Sequence, residues 1–449
     1  MKNTKMDLTT GNVSVQLIKF AIPLFIANLL QAFYNIADMV IVGRIIGSRG
    51  VVAISNTSML CFIINSICIG ITLGGTVLIA QYRGKKNNES CKEVINSIFF
   101  LIIIISIAVT VLGVLTCRHV FVLLRVPEEA LQESIEYMNI IYLGSIFVFG
   151  YNSVSSVMKG IGDSQKPLYF VLIAAILNIG LDFFLVGSMN MGTKGAAVAT
   201  VISQGVSFLL AILYLKRYEN IFEFSFKYIK KEKIKDILKI GISAALQMII
   251  INIAYLVMTG LFNGYGMVIS AASGIGLKIN TFAGMPCWAV GQTVTAMVGQ
   301  NMGAGKLKRV KEVVRTGIKI GFFLTIVTVI FVQLTAERLI MIFEKENQSI
   351  ITEGVKYLRI CCSVNSLIYS AMYIYDSFAI GVGNSFLAML NSFLDSIIIK
   401  LFLSFLFTYF LSYGVNSLYV SQAVSPIIPA AIGWLYYKRG NWKDKIEIL

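Results

Sequence analysis

The chain has 449 residues, 57% of them hydrophobic and only 14% charged, and its mean hydropathy is +0.78. That balance excludes a soluble globular domain and a disordered segment, and defines a polytopic membrane protein. A net charge of +15 would suit nucleic acid, but the excess sits in the connections between apolar runs. Membrane topology and anionic lipid headgroups account for it there, so no nucleic-acid partner is expected.

Continuous apolar runs able to span roughly 30 Å of hydrocarbon lie near residues 18–42, 52–79, 94–116, 135–158, 168–187 and 196–215. Six more follow near 240–262, 268–298, 317–335, 355–380, 386–411 and 416–437. The expected fold class is therefore an all-α integral membrane protein with twelve transmembrane helices, since barrel strands would alternate over short segments. The first run is too long for a signal-peptide core and lacks a small-residue cleavage site, so no cleaved leader is expected. With the N-terminus inside, Lys2, Lys5, Arg83, Lys85, Lys86, Lys92, Lys159 and Lys166 fall on the cytoplasmic side. So do the basic clusters from Lys216 to Lys239, from Lys306 to Arg315 and from Lys438 to Lys445. The opposite side holds only Arg44, Arg49, Arg118, Arg125, Lys194, Arg338 and Lys345, which predicts a plasma-membrane protein with both termini cytoplasmic.

The chain repeats itself. "QYRGKKNNESCKEVINS" from Gln81 and "QNMGAGKLKRVKEVVRT" from Gln300 share Gln, Gly and a Lys-Glu-Val step. "GIGDS" from Gly160 and "GVGNS" from Gly381 agree at the same offset of roughly 220 residues. Six helices per copy make these parallel repeats, an arrangement typical of alternating-access transporters with substrate held between two lobes. The expected domains are an N-terminal lobe over 1–215, a cytoplasmic amphipathic linker over 216–239 and a C-terminal lobe over 240–449.

Polar residues inside the apolar runs mark the candidate site. Tyr34 and Asp38 in the first run, and Asn178 and Asp182 in the fifth, are each spaced i,i+4 and share a helix face. Thr200 lies in the sixth run. A carboxylate near the bilayer centre costs roughly 2.5 to 3.5 kcal/mol on insertion scales and is rare without a partner, cavity or ion. Two carboxylates, an amide and a hydroxyl suit a hard cation such as Na⁺, which takes oxygen ligands. They equally suit a proton site, in which burial and a like-charged neighbour disfavour a second negative charge. A hydrogen-bonded pair that only fixes helix packing is the plain alternative.

"AIPLFIANLLQAFYNIADMVIVG" resembles the first helix of the multidrug and toxic compound extrusion family, in which a tyrosine precedes an aspartate by four residues. "GIGDSQKPL" and "VGQNMGAGK" extend the resemblance over nearly the whole chain. It implies secondary active efflux of amphipathic, often cationic drug-like compounds by H⁺ or Na⁺ antiport, with no cofactor and no enzymatic activity, in a monomer. It also implies that Asp38, Asn178, Asp182 and Thr200 bind the coupling ion, and that Pro23 allows the first helix to bend. Tyr34, Gln247, Lys278 and Asp376 are further candidates for substrate contact or gating.

The second half departs from branches of the family that carry a glutamate early in the seventh helix, because "GISAALQMIII" offers only Gln247. Asp395 and Lys400 read as a mutually compensated pair, or as a lysine reaching toward the interface. Seven cysteines, mostly within apolar runs, show no zinc spacing, and the lone histidine, His119, sits beside an outer loop. "GAGK" at Gly303 to Lys306 is no phosphate loop, since Gln300 and Leu307 stand where Walker A needs glycine and Ser or Thr. A flippase for a lipid-linked precursor is the alternative reading. It calls for more than twelve helices and a cationic cavity, for which only Lys278 and Lys400 are available.

Overall fold

The computed structural model describes residues 6–218, 222–410 and 413–446. Lys2 and Lys5, which help to orient the N-terminus in the sequence, lie outside them. Helices account for nearly all of the described chain. They are α1 (Val13–Ile46), α2 (Ser48–Gly84), α3 (Asn88–Leu123), α4 (Glu128–Leu143), α5 (Ser145–Ile161), α6 (Gln165–Asp182), α7 (Gly192–Tyr218) and α8 (Lys231–Asn263). The second half adds α9 (Met267–Gly303), α10 (Leu307–Met341), α11 (Gln348–Cys361), α12 (Asn365–Gly381), α13 (Ser385–Phe393), α14 (Lys400–Tyr409), α15 (Asn416–Val424) and α16 (Ile427–Arg439).

Among the described residues nine helical spans are each long and apolar enough to cross a membrane, and the bent pair α4 and α5 adds a tenth. The remaining two of the twelve expected runs are α9 and the pair α11 and α12. Buried polar residues lower their apolarity: Ser273, Thr293, Gln300 and Asn301 in α9, and Ser370, Asp376 and Ser377 in α12. Turned inward, such groups meet protein rather than lipid. Outward-facing side chains follow the opposite rule, as Leu115 (68% exposed) and Leu334 (81%) illustrate.

Three runs that read as single helices are interrupted, one of them at Ser425–Pro426 between α15 and α16, and the other two where another helix supplies a donor. The run 135–158 bends by 47° between α4 and α5, where Thr110 Oγ1 donates to the Tyr142 carbonyl at 2.7 Å and supports the break at Gly144. Between α11 and α12 the Gln333 amide donates to the Cys362 carbonyl at 2.6 Å. At these two breaks a side chain satisfies a backbone acceptor that the helix would otherwise bond itself.

The described chain divides into two compact units, one holding residues 26–245 with the N-terminal tip, the other holding Leu8–Phe25 and Leu246–Leu449. In the first, α2 packs on α3, α4 and α5, and α6 on α7. In the second, α9 packs on α10, α11 and α12, and an aromatic cluster of Phe262, Tyr357 and Tyr419 fills the core, with Tyr357 edge-on to Tyr419 at 5.3 Å.

The repeated motifs have matching structural jobs. Gly162 and Gly383 end helices at φ +97° and +85°, a left-handed conformation that favours glycine. Gly160 packs on Ile79 and Thr76, and Gly381 packs on Val298 and Thr295, each too close for a Cβ. The two Gln-containing loops each support a strap. In the first unit the connector packs on α3, with Asn96 Nδ2 donating to the Glu223 carbonyl at 2.9 Å and Ser225 N to Asn96 Oδ1 at 2.8 Å. Lys92 donates to exposed Glu223 at 2.9 Å and holds its carboxyl below the usual range. In the second unit Leu8 N donates to Gln300 Oε1 at 3.2 Å, while Asn301 Nδ2 donates to the Leu8 carbonyl at 3.0 Å. Lys306 of "GAGK" donates to the Thr9 carbonyl at 2.7 Å.

Candidate functional site

The first unit assembles a polar cluster from four helices. Asp38 and Tyr34 come from α1, Asn178 and Asp182 from the end of α6, Thr200 and Gln204 from α7, and Tyr137 from α4. The i,i+4 spacing places each pair on one face, and both faces turn inward: Asp38 is 8% exposed, Asn178 1% and Asp182 0%. The Asp38 and Asp182 carboxyls lie against one another. Asn178 Nδ2 donates to Thr200 Oγ1 at 3.4 Å, the long end of the range. Tyr34 meets Gln204 in a hydrogen-bonding contact, and Tyr137 neighbours Asp38, Tyr34 and Asp182.

Acceptors outnumber donors. Asp38 Oδ1, Asn178 Oδ1 and both Asp182 oxygens are buried with no protein donor. Two ionised carboxylates cannot hydrogen-bond one another, since both only accept, so their contact is favourable only with a proton or a cation between them. The oxygens of Asp38, Asp182, Asn178 and Thr200 make a set that suits a hard monovalent cation. No cluster of three or more His, Cys, Asp or Glu able to hold a metal occurs among the described residues. A cation here would therefore rely on the amide and hydroxyl as well as the two acids.

Local backbone geometry helps to aim Asp182. A π-helical turn, Phe183–Ser188, follows it directly, with Met189 N bonded five residues back to the Phe184 carbonyl at 2.9 Å. Such turns release a carbonyl from the regular ladder and recur at functional sites. The sequence reading missed Tyr137 and Gln204, whose positions depend on how α4 and α7 pack.

The other singled-out residues lie in the second unit. Pro23 is buried within α1, which runs unbroken through it. Gln247 Nε2 donates to Ser392 Oγ at 3.0 Å, and buried Asp376 accepts from Asn391 Nδ2 at 2.6 Å. Lys278 is exposed. Asp395 Oδ2 lies 3.5 Å from Lys400 Nζ. Asn391 was also missed, although a signal was available. "LNIGLD" at 177–182 recurs as "LNSFLD" at 390–395, and a second π-helical turn, Leu394–Ile399, again accompanies the acid.

Membrane-length helices, an internal repeat and a buried acid pair with open oxygens together describe a membrane transporter. The chain belongs to the MatE family, the multidrug and toxic compound extrusion transporters, whose family model matches residues 23–184 and 243–406. It is 28% identical over 441 residues to "Probable multidrug resistance protein YpnP" of Bacillus subtilis strain 168, covering 97% of each chain. It is 23% identical to "Probable multidrug resistance protein NorM" of Thermotoga maritima, over 96% of this chain and 93% of that one. Its fold matches a solved outward-facing multidrug resistance MATE family transporter with a TM-score of 0.92 at 19% identity, covering 100% of both chains.

Proposed function

We propose that this transporter exports amphipathic, cationic organic compounds from the cytoplasm across the plasma membrane, driven by inward movement of H⁺ or Na⁺ through the Asp38 and Asp182 pair. The observation that carries the reading is the contact between two buried carboxyls whose remaining oxygens, with Asn178 Oδ1, have no donor. With the ion bound, the pair is relieved of its mutual repulsion and α1 can pack against α6 and α7. With the ion released, two negative charges in one buried cluster favour a different packing. A ligand shifts such an equilibrium only by its differential affinity for the two states, and the unpartnered oxygens supply that difference. Substrate and ion then compete for opposite states, which is the energetic basis of antiport.

Two cations remain candidates, and they use the cluster differently. A proton needs one carboxyl oxygen as acceptor and the second carboxylate to share it. Sodium needs both acids ionised, with Asn178 Oδ1 and Thr200 Oγ1 completing the shell. The test is dye export in proteoliposomes, with a proton or a sodium gradient imposed separately. Asp38→Asn is expected to abolish gradient-driven export under either gradient while substrate binding persists. Asn178→Ala should weaken sodium coupling strongly and proton coupling only modestly. An Asp38→Asn, Asp182→Asn double variant that exports at the parent rate would return both acids to a packing role. The lipid-precursor flippase gains no specific support, since Lys278 is exposed and Lys400 is engaged with Asp395.

A further inference from the structure

The second unit contains a cavity of about 230 Å³ with a charge arrangement unlike that of the first. Tyr255, Trp288 and Tyr369 supply aromatic wall, and Asp395 and Lys400 both reach it. Asp395 ends a second LNxxLD sequence, as Asp182 ends the first, although it stands about two turns nearer the start of its helix. In the first the acid faces another acid. Here its Oδ2 faces the Lys400 ammonium at 3.5 Å and accepts from Ser396 Oγ at 3.2 Å. Its Oδ1 is buried with no donor at all, on a side chain only 6% exposed.

This is a loose pair. A charge-assisted N–H to carboxylate bond closes to about 2.7–2.9 Å when optimised. A buried ion pair also repays its desolvation only when the remaining lone pairs and protons find partners. Asp395 keeps an unused oxygen, and an ammonium has three donors. Both residues line one aromatic-walled space, so the carboxylate and the ammonium stand side by side at its edge.

We propose that this cavity is a binding site for small aromatic zwitterions. The ligand ammonium donates to the Asp395 carboxylate, its carboxylate accepts from Lys400 Nζ, and its ring lies among Tyr255, Trp288 and Tyr369. A cation alone meets Lys400 as a repelling neighbour, and an anion alone meets Asp395 in the same way. Only a zwitterion satisfies both groups while leaving the site neutral. The volume lies just below the roughly 300–1,000 Å³ of drug-sized pockets, which favours a compact ligand. The site lies wholly in the second unit and uses none of the proposed coupling residues, so it stands whether or not Asp38 and Asp182 couple transport.

The test is equilibrium binding to the purified full-length protein in lipid nanodiscs, with no gradient, by isothermal titration calorimetry. Three probes share one ring and chain: phenylalanine as zwitterion, phenethylamine as cation and 3-phenylpropanoate as anion. Phenylalanine is expected to bind at least about tenfold more tightly than either, as one added charge-assisted hydrogen bond implies. Lys400→Met should lower phenylalanine below phenethylamine, because its carboxylate then faces Asp395 alone, and strengthen phenethylamine by removing its competitor. Asp395→Asn should weaken phenylalanine and phenethylamine but spare 3-phenylpropanoate. Equal binding of the three probes overturns the proposal, as does the absence of saturable phenylalanine binding up to about 10 mM. A Lys400→Met variant that changes all three alike would do the same. The comparison of probes on the parent protein requires no variant to fold.

Discussion

Helices α2 and α8 approach closely enough to make glycine a structural requirement, and a single methyl group measures how closely. A Cβ built on Gly74 falls 2.5 Å from the Ile237 carbonyl oxygen and 3.1 Å from Gly241 N. One built on Gly241 falls 2.7 Å from Ile71 Cα and 3.2 Å from the Gly70 carbonyl oxygen. Ordinary contact begins at 3.4 Å, so alanine forces the helices apart by roughly 0.9 Å at Gly74 and roughly 0.7 Å at Gly241. The opposing atoms are backbone and cannot rotate away. A gap of that size forfeits about a quarter to a half of each dispersion contact along the seam, and overpacking of this kind costs about 1–3 kcal/mol. Helix association in lipid relies on such close packing of small residues, which places the expected cost near the upper figure. Gly260, also on α8, has no atom within 4 Å of its built Cβ. Gly260→Ala should therefore be neutral or stabilising by up to about 1 kcal/mol, through helix propensity alone. At about 2–4 °C per kcal/mol for a unit of this size, Gly74→Ala and Gly241→Ala should each melt roughly 5–10 °C below Gly260→Ala. The assay is fluorescence-detected gel filtration of detergent-solubilised protein after graded heating. If all three variants melt within about a degree of one another, the inferred closeness of α2 and α8 is wrong.

Three further outcomes follow from other parts of the molecule. Pro23→Ala restores a backbone donor to the Lys19 carbonyl and favours an unbent α1 by up to about 3 kcal/mol, so expression should hold while gradient-driven export falls; unchanged export removes the hinge role. Asn391→Ala strips buried Asp376 of its 2.6 Å donor and should cost about 1–3 kcal/mol, read as a lower melting temperature, with an unaltered melt refuting the buried contact. Lys227→Cys, at a position whose side chain is 62% exposed, should react with a membrane-impermeant maleimide in inside-out but not right-side-out vesicles, and the reverse result inverts the topology.

The apolar runs were legible because lipid imposes a length and a composition on every spanning helix. The interruptions at Gly144 and at Cys362 to Val364 were not. Each depends on a side chain from another helix, Thr110 or Gln333, capturing a carbonyl, and no local pattern records that. The glycines of "GIGDS" and "GVGNS" could be matched in the sequence because a left-handed residue and a close helix contact both demand glycine, leaving the same letter in each copy. Tyr34, Asp38, Asn178, Asp182 and Thr200 were legible as polar residues in apolar surroundings. Tyr137 was hidden because a tyrosine in a helix reads equally as an interface anchor. The division of the chain falls within α1, after Phe25, and within α8, after Ala245. Neither point carries a change of composition, since an unbroken apolar helix serves both units.

The two LNxxLD copies show how one local motif supports different chemistry. In each, an asparagine stands one turn before the acid, and a π-helical turn begins at or beside the acid. What differs is the group brought against the carboxylate by the rest of the fold. In the first copy the neighbour is Asp38, a second acid, so a proton or a cation between them favours the contact. In the second copy the neighbour is Lys400, five residues further along the same chain, so the cation is built in and tethered. A tethered ammonium cannot leave, so this acid is compensated from within the chain as long as the pair holds. It also leaves a dipole of fixed charges that a ligand of matching polarity can exploit. Removing the neighbour therefore tests the division directly: Lys400→Met should raise the affinity of Asp395 for free cations, measurable as phenethylamine binding tighter than in the parent protein. If Asp395 gains no such affinity, its environment rather than Lys400 determines the difference between the copies.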